Sequence, residues 1–189
     1  MSAERGATLL AIARGAIAAS LGEAEPIRGA AADWLDEPGA SFVTLTQRGE
    51  LRGCVGSLSA ERSLRADVEH NARAAAFRDP RFAPLSRCEY PAIAVEVSVL
   101  SPLEPIAFES ESHALALLRP GVDGVLLEYA GQRGTFLPQV WEQLPEPDAF
   151  LAHLKRKAGL PVGFWAAGLR LSRYTVRKWR ESDAKRVAH

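Results

Sequence analysis

Apolar residues recur along this chain with two periods, and the switches between them divide it into elements. Leu9, Ala13 and Ile17 are spaced by four, with Leu10 and Leu21 beside that stripe and Gly22 behind it. This spacing predicts an amphipathic helix over residues 2–21 whose apolar side covers a sheet. Residues 23–40 gain proline and glycine and lose periodicity, so a connection over the surface is expected there, with Trp34 as its anchor. Phe42 to Thr46 reads as a strand, Gln47 to Glu50 as a turn, and Leu51 to Ser57 as the returning strand. Leu64, Val68, Ala72 and Ala75 or Ala76 restore the helical period. That helix should end before Asp79-Pro80, because proline disfavours helical geometry in the residue ahead of it.

Ile93, Val95, Val97 and Val99 alternate with Ala94, Glu96, Ser98 and Leu100, the period of a strand with one buried face. Glu96 then lies on the opposite face, and is expected to be a solvated carboxylate rather than the partner of an arginine. A short helix at Ser110 to Leu118 stops at Pro120-Gly121, and a second hairpin joins Gly124–Tyr129 to Gly134–Leu137 through Ala130–Arg133. Pro138 suits the first turn of a helix carrying Val140, Trp141 and Leu144. Asp148 is the expected N-cap of another, with Phe150 or Leu151, Leu154 and Ala158 inward, and Gly159 and Pro161 as its stop. Its last-turn cations Lys155, Arg156 and Lys157 are expected to face the helix dipole and water. Leu169 to Trp179 reads as one late strand, and the charged residues from Arg180 onward as a frayed tail.

Composition narrows the picture. A chain of 189 residues with 47% hydrophobic and 24% charged side chains suits one folding unit. Its 23 basic and 23 acidic residues cancel, so no global field draws in nucleic acid or an anionic membrane. The arginines near Arg73 to Arg81 and the lysines near Lys155 leave nucleic-acid binding only as a weak alternative. Two cysteines, Cys54 and Cys88, do not make a disulfide framework and fit a reducing cytosol. Arg14 breaks the apolar run Ala7 to Ala13, which argues against a signal peptide, and no run approaches the ~20 residues that span a bilayer. A cytoplasmic protein is expected.

Chemistry concentrates at Leu51-Arg52-Gly53-Cys54-Val55-Gly56. Glycine within a strand marks a bulge or a place where a backbone or a ligand comes close, and Gly53 and Gly56 both fit that description. Arg52 offers a forked cation for carboxylate or phosphate, and alternation would place it on the same face as Cys54 unless a bulge at Gly53 intervenes. Cys54 is either a small packing residue, the preferred reading, or a nucleophile that needs a cation and a base nearby. Neither His70 nor His153 is aimed at it by local spacing. No CxxC, HExxH, GxxxxGK[ST] or GxGxxG pattern occurs, so neither a metal nor a nucleotide cofactor is expected. Arg73, Arg78 and Arg81 gather where the central helix should end, either to complement its dipole or to hold a ligand.

Several motifs together resemble the AMMECR domain: ASFVTL from Ala40, LRGCVGSL from Leu51, Asn71-Ala72, Ala75-Ala76-Phe77, Asp79-Pro80-Arg81-Phe82, EVSVLS from Glu96, LRPGVDG from Leu118, GTFLPQVW from Gly134 and KAGL from Lys157. The similarity runs from about residue 5 to residue 179, with Val55 where the family usually carries isoleucine. It implies an α+β fold with an antiparallel sheet flanked by helices and two unequal subdomains, the larger holding both termini, with the glycine-cysteine motif facing a groove between them. In bacteria and archaea such a domain is protein A of the AmmeMemoRadiSam system. The resemblance therefore implies a Memo-type protein and a radical SAM enzyme as partners, without a settled reaction. The first expectation is a binding component whose site includes Arg52, Gly53, Gly56, Asn71, Asp79, Arg81 and Glu96. The alternative is an enzyme in which Cys54 is a covalent nucleophile or redox centre, Arg52 holds an anionic substrate, and Asn71, Asp79, Arg81 or Glu96 complete the site.

Overall fold

Buried apolar side chains collect into two separate clusters, one around Ile17, Val43, Val68 and Val97, the other around Val125, Leu127, Phe150 and Leu171. The computed structural model describes residues 2–23 and 32–181. Its helices are α1 (Ser2–Leu21), α2 (Asp33–Asp36), α3 (Leu64–Phe77), α4 (Glu111–Leu117) and α5 (Pro147–Lys157). Its strands are β1 (Pro38–Gln47), β2 (Glu50–Gly56), β3 (Arg62–Ser63), β4 (Ile93–Leu100), β5 (Glu104–Pro105), β6 (Gly124–Tyr129), β7 (Gln132–Phe136), β8 (Arg170–Tyr174) and β9 (Val176–Arg180). The chain divides into a first unit, Met1–Leu100 with Arg177–His189, and a second, Ser101–Val176.

In the first unit the strand order is β2-β1-β4-β9, with β3 paired to the start of β1. The predicted hairpin is present, and its two central residues, Arg48 and Gly49, both have positive φ (54° and 86°), the geometry whose twist matches a two-residue loop. Along β1 the buried residues are Ala40, Ser41, Val43 and Leu45, of which Val43 and Leu45 pair with Val97 and Val95 of β4. Helix α3 packs over β1 and β2, α1 packs over β4, and the two helices pack on each other, so this side of the sheet is the covered one. Helix α1 buries Leu9, Leu10, Ile12, Ala13, Ala16 and Ile17, a wider stripe than the fourfold spacing alone indicates. Helix α3 buries alanines at Ala72, Ala74, Ala75 and Ala76 and ends before Asp79 as expected.

The second unit is a sheet of order β5-β8-β6-β7 with α4 and α5. Its hairpin turns at Ala130 and Gly131, again with positive φ (46° and 83°), so β7 starts two residues before the expected Gly134. Trp141 stacks on Phe150 with ring centroids 3.7 Å apart and planes 5° apart, and its indole N–H donates to the Asp123 carbonyl at 2.7 Å.

Four expectations change. The helix at Pro138 is a 3-10 turn, Pro138–Glu142. Asp148 lies in the first turn of α5, whose N-cap is Glu146, because Pro147 already occupies the first helical position. Lys155 is 1% exposed instead of solvated, with its ammonium on Glu111 and on the Val162 carbonyl. The late strand is two strands broken at Thr175: β8 belongs to the second unit's sheet and β9 to the first's. Of the connection expected over residues 23–40, residues 24–31 lie outside the described residues, as does the tail from residue 182, and the rest holds α2 and the start of β1. Trp34 is half-buried in α2, with the Arg5 guanidinium 4.7 Å from its ring.

Candidate functional site

The Leu51–Gly56 motif forms the edge strand β2, and its register explains where each side chain goes. Leu45 pairs with Gly53 and Thr46 with Leu51, which leaves Arg52 as the extra residue of a β-bulge. The bulge therefore falls one residue earlier than Gly53 and breaks the alternation that would have aligned Arg52 with Cys54. Arg52 turns to Glu89, donating from Nε at 2.9 Å and Nη2 at 3.2 Å, and from Nη2 to the Ala83 carbonyl at 3.0 Å. Its fork thus closes on this chain's own carboxylate. Glu89 also accepts from the backbone and hydroxyl of Ser86. The Arg52 hydrogen bonds, followed by those from Ser86, hold the Glu89 carboxyl down to about 2. The remaining nitrogen, Arg52 Nη1, is shut off from solvent without a hydrogen-bond partner.

Cys54 is opposite Thr44 in a pair whose backbone groups point away from β1, the arrangement that brings side chains closest. Thr44 Oγ1 lies 3.4 Å from Cys54 Sγ. The outward N–H of Cys54 donates to Asp79 Oδ2 at 2.9 Å, and its carbonyl accepts from Arg81 Nη2 at 3.3 Å. Asp79 and Arg81 thereby occupy the edge at Cys54 as a neighbouring strand would, the covering that an exposed edge requires. The two are also paired with each other through Nε to Oδ1 at 3.0 Å and Nη2 to Oδ2 at 2.7 Å. These Arg81 bonds, then the backbone N–H groups of Cys54 and Arg81, overcome burial and hold the Asp79 carboxyl well below the usual carboxylate range. The Phe82 ring lies near both guanidiniums, 5.9 Å from Arg52 Cζ and 5.5 Å from Arg81 Cζ.

Register also places Glu96 of β4 directly across β1 from Cys54, since Thr44 pairs with both. Cys54, Thr44 and Glu96 form one row on the sheet face turned away from α1 and α3, with roughly 10 Å from first to last. Glu96 is 8% exposed, and its carboxylate meets Arg180 and Lys178 of β9, so the expectation of a solvated Glu96 is overturned. Burial of a carboxylate requires such cations.

The glycines and Asn71 play other parts. A Cβ at Gly53 would collide with the Ala75 carbonyl oxygen of α3, and one at Gly56 with the Phe42 ring, so the close approaches are made by this chain itself. Asn71 lies on the helix side, where Nδ2 donates to the Ser41 carbonyl at 3.0 Å, Ser57 Oγ at 3.1 Å and Asp67 Oδ2 at 3.0 Å. Asp67, fully buried, accepts from the Ser41 N–H and hydroxyl and from Ser57 Oγ. This network ties α3 to β1 and β2 and puts Asn71 on the face opposite Cys54. Among the described residues no histidine hydrogen-bonds to Cys54, and no group of three or more His, Cys, Asp and Glu side chains is placed to hold a metal. Cys88 is exposed and Cys54 half-buried, both as free thiols. Two of the cations that suggested nucleic acid are engaged within the protein, Arg73 with Glu69 and Lys155 with Glu111. No helix of the described residues is long and apolar enough to cross a membrane.

Residues 10–179 match the AMMECR1 family. The chain belongs to that family. An AMMECR1 relative from Methanothermobacter thermautotrophicus is 37% identical over 96% of this chain and 96% of its own, and one from Thermofilum pendens is 34% identical over 98% and 93%. The crystal structure of the uncharacterized protein PH0010 from Pyrococcus horikoshii superposes with a TM-score of 0.84 at 32% identity, covering 94% of this chain and 92% of that one. The α+β fold is thus the AMMECR1 fold. Sequence reasoning missed Glu89, Thr44 and Asp67. Only Asp67 left a signal, being four residues before Asn71 on the buried stripe of α3.

Proposed function

We propose that this AMMECR1 protein is a binding component that takes a small ligand or a partner segment on the sheet face carrying Cys54, and that it works beside a Memo-type protein and a radical SAM enzyme. The observation that supports this reading is the Cys54, Thr44 and Glu96 row beside the Arg81 guanidinium. A thiol, a hydroxyl and a carboxylate occupy one strand-to-strand line, and Arg81, 54% exposed, spends Nε and Nη2 on the protein and keeps Nη1 for an anionic group. Asp79 fixes that guanidinium in place, so little side-chain entropy remains to be lost on binding.

Peptide-resolved alkylation tests it, with Cys88 as the internal comparison. Addition of the Memo-type and radical SAM proteins of the same organism should slow alkylation of Cys54 and leave Cys88 unchanged, and Arg81→Ala should weaken that protection. Absence of both association and protection under every substrate condition discards the reading. A second reading, Cys54 as covalent nucleophile or redox centre, draws support from the Thr44 hydroxyl 3.4 Å from its sulfur. Under it Cys54→Ser abolishes every system-dependent phenotype, whereas a binding role tolerates that near-isosteric exchange.

A further inference from the structure

The second unit contains a cavity of about 670 Å³, within the range of small-molecule sites and independent of the Cys54 face. It opens where the chain leaving β5 separates from β8. The Ile106 N–H still donates to the Leu171 carbonyl at 2.9 Å, and beyond that tie residues 107–109 form one wall and residues 165–170 the other. Phe108 and Trp165, both half-buried, meet across it with ring centroids 5.3 Å apart and planes tilted by 54°. Contacts within the second unit support the Trp165 wall. The buried Lys155 ammonium lies 5.4 Å from the Trp165 ring centre and donates to the Val162 carbonyl, Phe164 packs on Tyr129 at 4.8 Å, and the Leu169 N–H bonds the Ala166 carbonyl at 3.2 Å. A wall fixed before binding needs little ordering when a ligand arrives.

The ionic groups lining this cavity are Glu109, Glu128 and Arg170. Glu109 has no cationic partner among the described residues, and Arg170, 74% exposed, reaches Glu128 at only 3.8 Å. An exposed pair at that distance contributes little, so an incoming cation can displace it. Lys155 is already matched by Glu111 and leaves the surplus negative charge in place. We propose that the cavity binds a small organic cation, an ammonium on an aromatic or alkyl body, with the body against Phe108 and Trp165 and the ammonium between Glu109 and Glu128. Aromatic faces and carboxylates together favour such a ligand over its anionic counterpart.

The test is titration of the whole protein with 2-phenylethylammonium, followed by NMR at the Trp165 indole N–H and the Gly168 and Leu169 amides, against 3-phenylpropionate as the anion of similar shape. Saturable shifts are expected for the cation alone. The double substitution Glu109→Gln with Glu128→Gln should weaken binding about tenfold or more, and Arg170→Gln should tighten it. Equal binding of the anion, no saturable shift at millimolar cation, or unchanged affinity in a folded double variant overturns the proposal. Should the double variant fail to fold, the cation and anion comparison on the unaltered protein still decides.

Discussion

A methyl group added at Gly53 would meet the Ala75 carbonyl oxygen, a backbone atom that moves only if α3 shifts from the sheet. Gly53→Ala is expected to cost about 1–3 kcal/mol or more, the usual penalty of overpacking, in urea denaturation. Gly49→Ala in the open turn should cost about 1 kcal/mol, because only its positive φ opposes a side chain there. The two acids bonded to the motif give a pH signature. Asp79 and Glu89 hold their protons less tightly in the folded protein than in the unfolded chain, so their stabilisation is present above about pH 4.5 and is lost as pH falls toward 2. Glu89→Gln should therefore be less stable than the parent at neutral pH, with the gap closing as pH falls from about 4.5 to about 2 when unfolding is followed across that range. Tyr174 acts at the other end, its buried phenol pushed up to about 12 by desolvation, so its contribution declines as pH rises from 10 to 12 and Tyr174→Phe removes that decline. Such roles were only partly legible. The two glycines of the motif announced a close approach at Gly53, but nothing in the order of residues says that the approaching atom belongs to α3, or that Glu89, 37 positions on, closes the fork of Arg52.

Helix α3 is held to the sheet by apolar and polar contacts on one face. Val68 and Ala72 bury beside Asp67 and Asn71, whose polar atoms satisfy Ser41 and Ser57. Asp67→Ala strands those donors in the interior, so a loss of about 3 kcal/mol or more is expected by urea denaturation, with Asp67→Asn costing less because it keeps two acceptor positions on one oxygen. The helical stripes were legible because burial imposes the period directly on α1 and α3. Strand partners beyond the two hairpins were not, since alternation reports that a residue faces a core and is silent on which distant strand lies alongside. Cys54, Thr44 and Glu96 became a row only through the β1 register.

At the scale of the whole molecule, the stretch from Leu169 to Trp179 reads as one alternating pattern, yet Thr175 divides it between two sheets. Strand β9 then brings Trp179 onto Gly6, Arg180 onto Glu96, and Glu181 onto Arg14 and the Val95 N–H, with the Arg14 bonds at 2.5 and 2.7 Å. Glu181→Gln should speed hydrogen exchange at Val95 and in α1, and a chain ended at Thr175 should lose protection across β4 as well, both read by mass spectrometry. This strand also sets a timetable. A ribosome making the protein delivers nearly all of the second unit before it delivers the residues that complete the first. The first hundred residues must therefore wait, their β4 edge unpaired, until β9 has been made, so a product terminated before β9 is marked for quality control by the part that was made first.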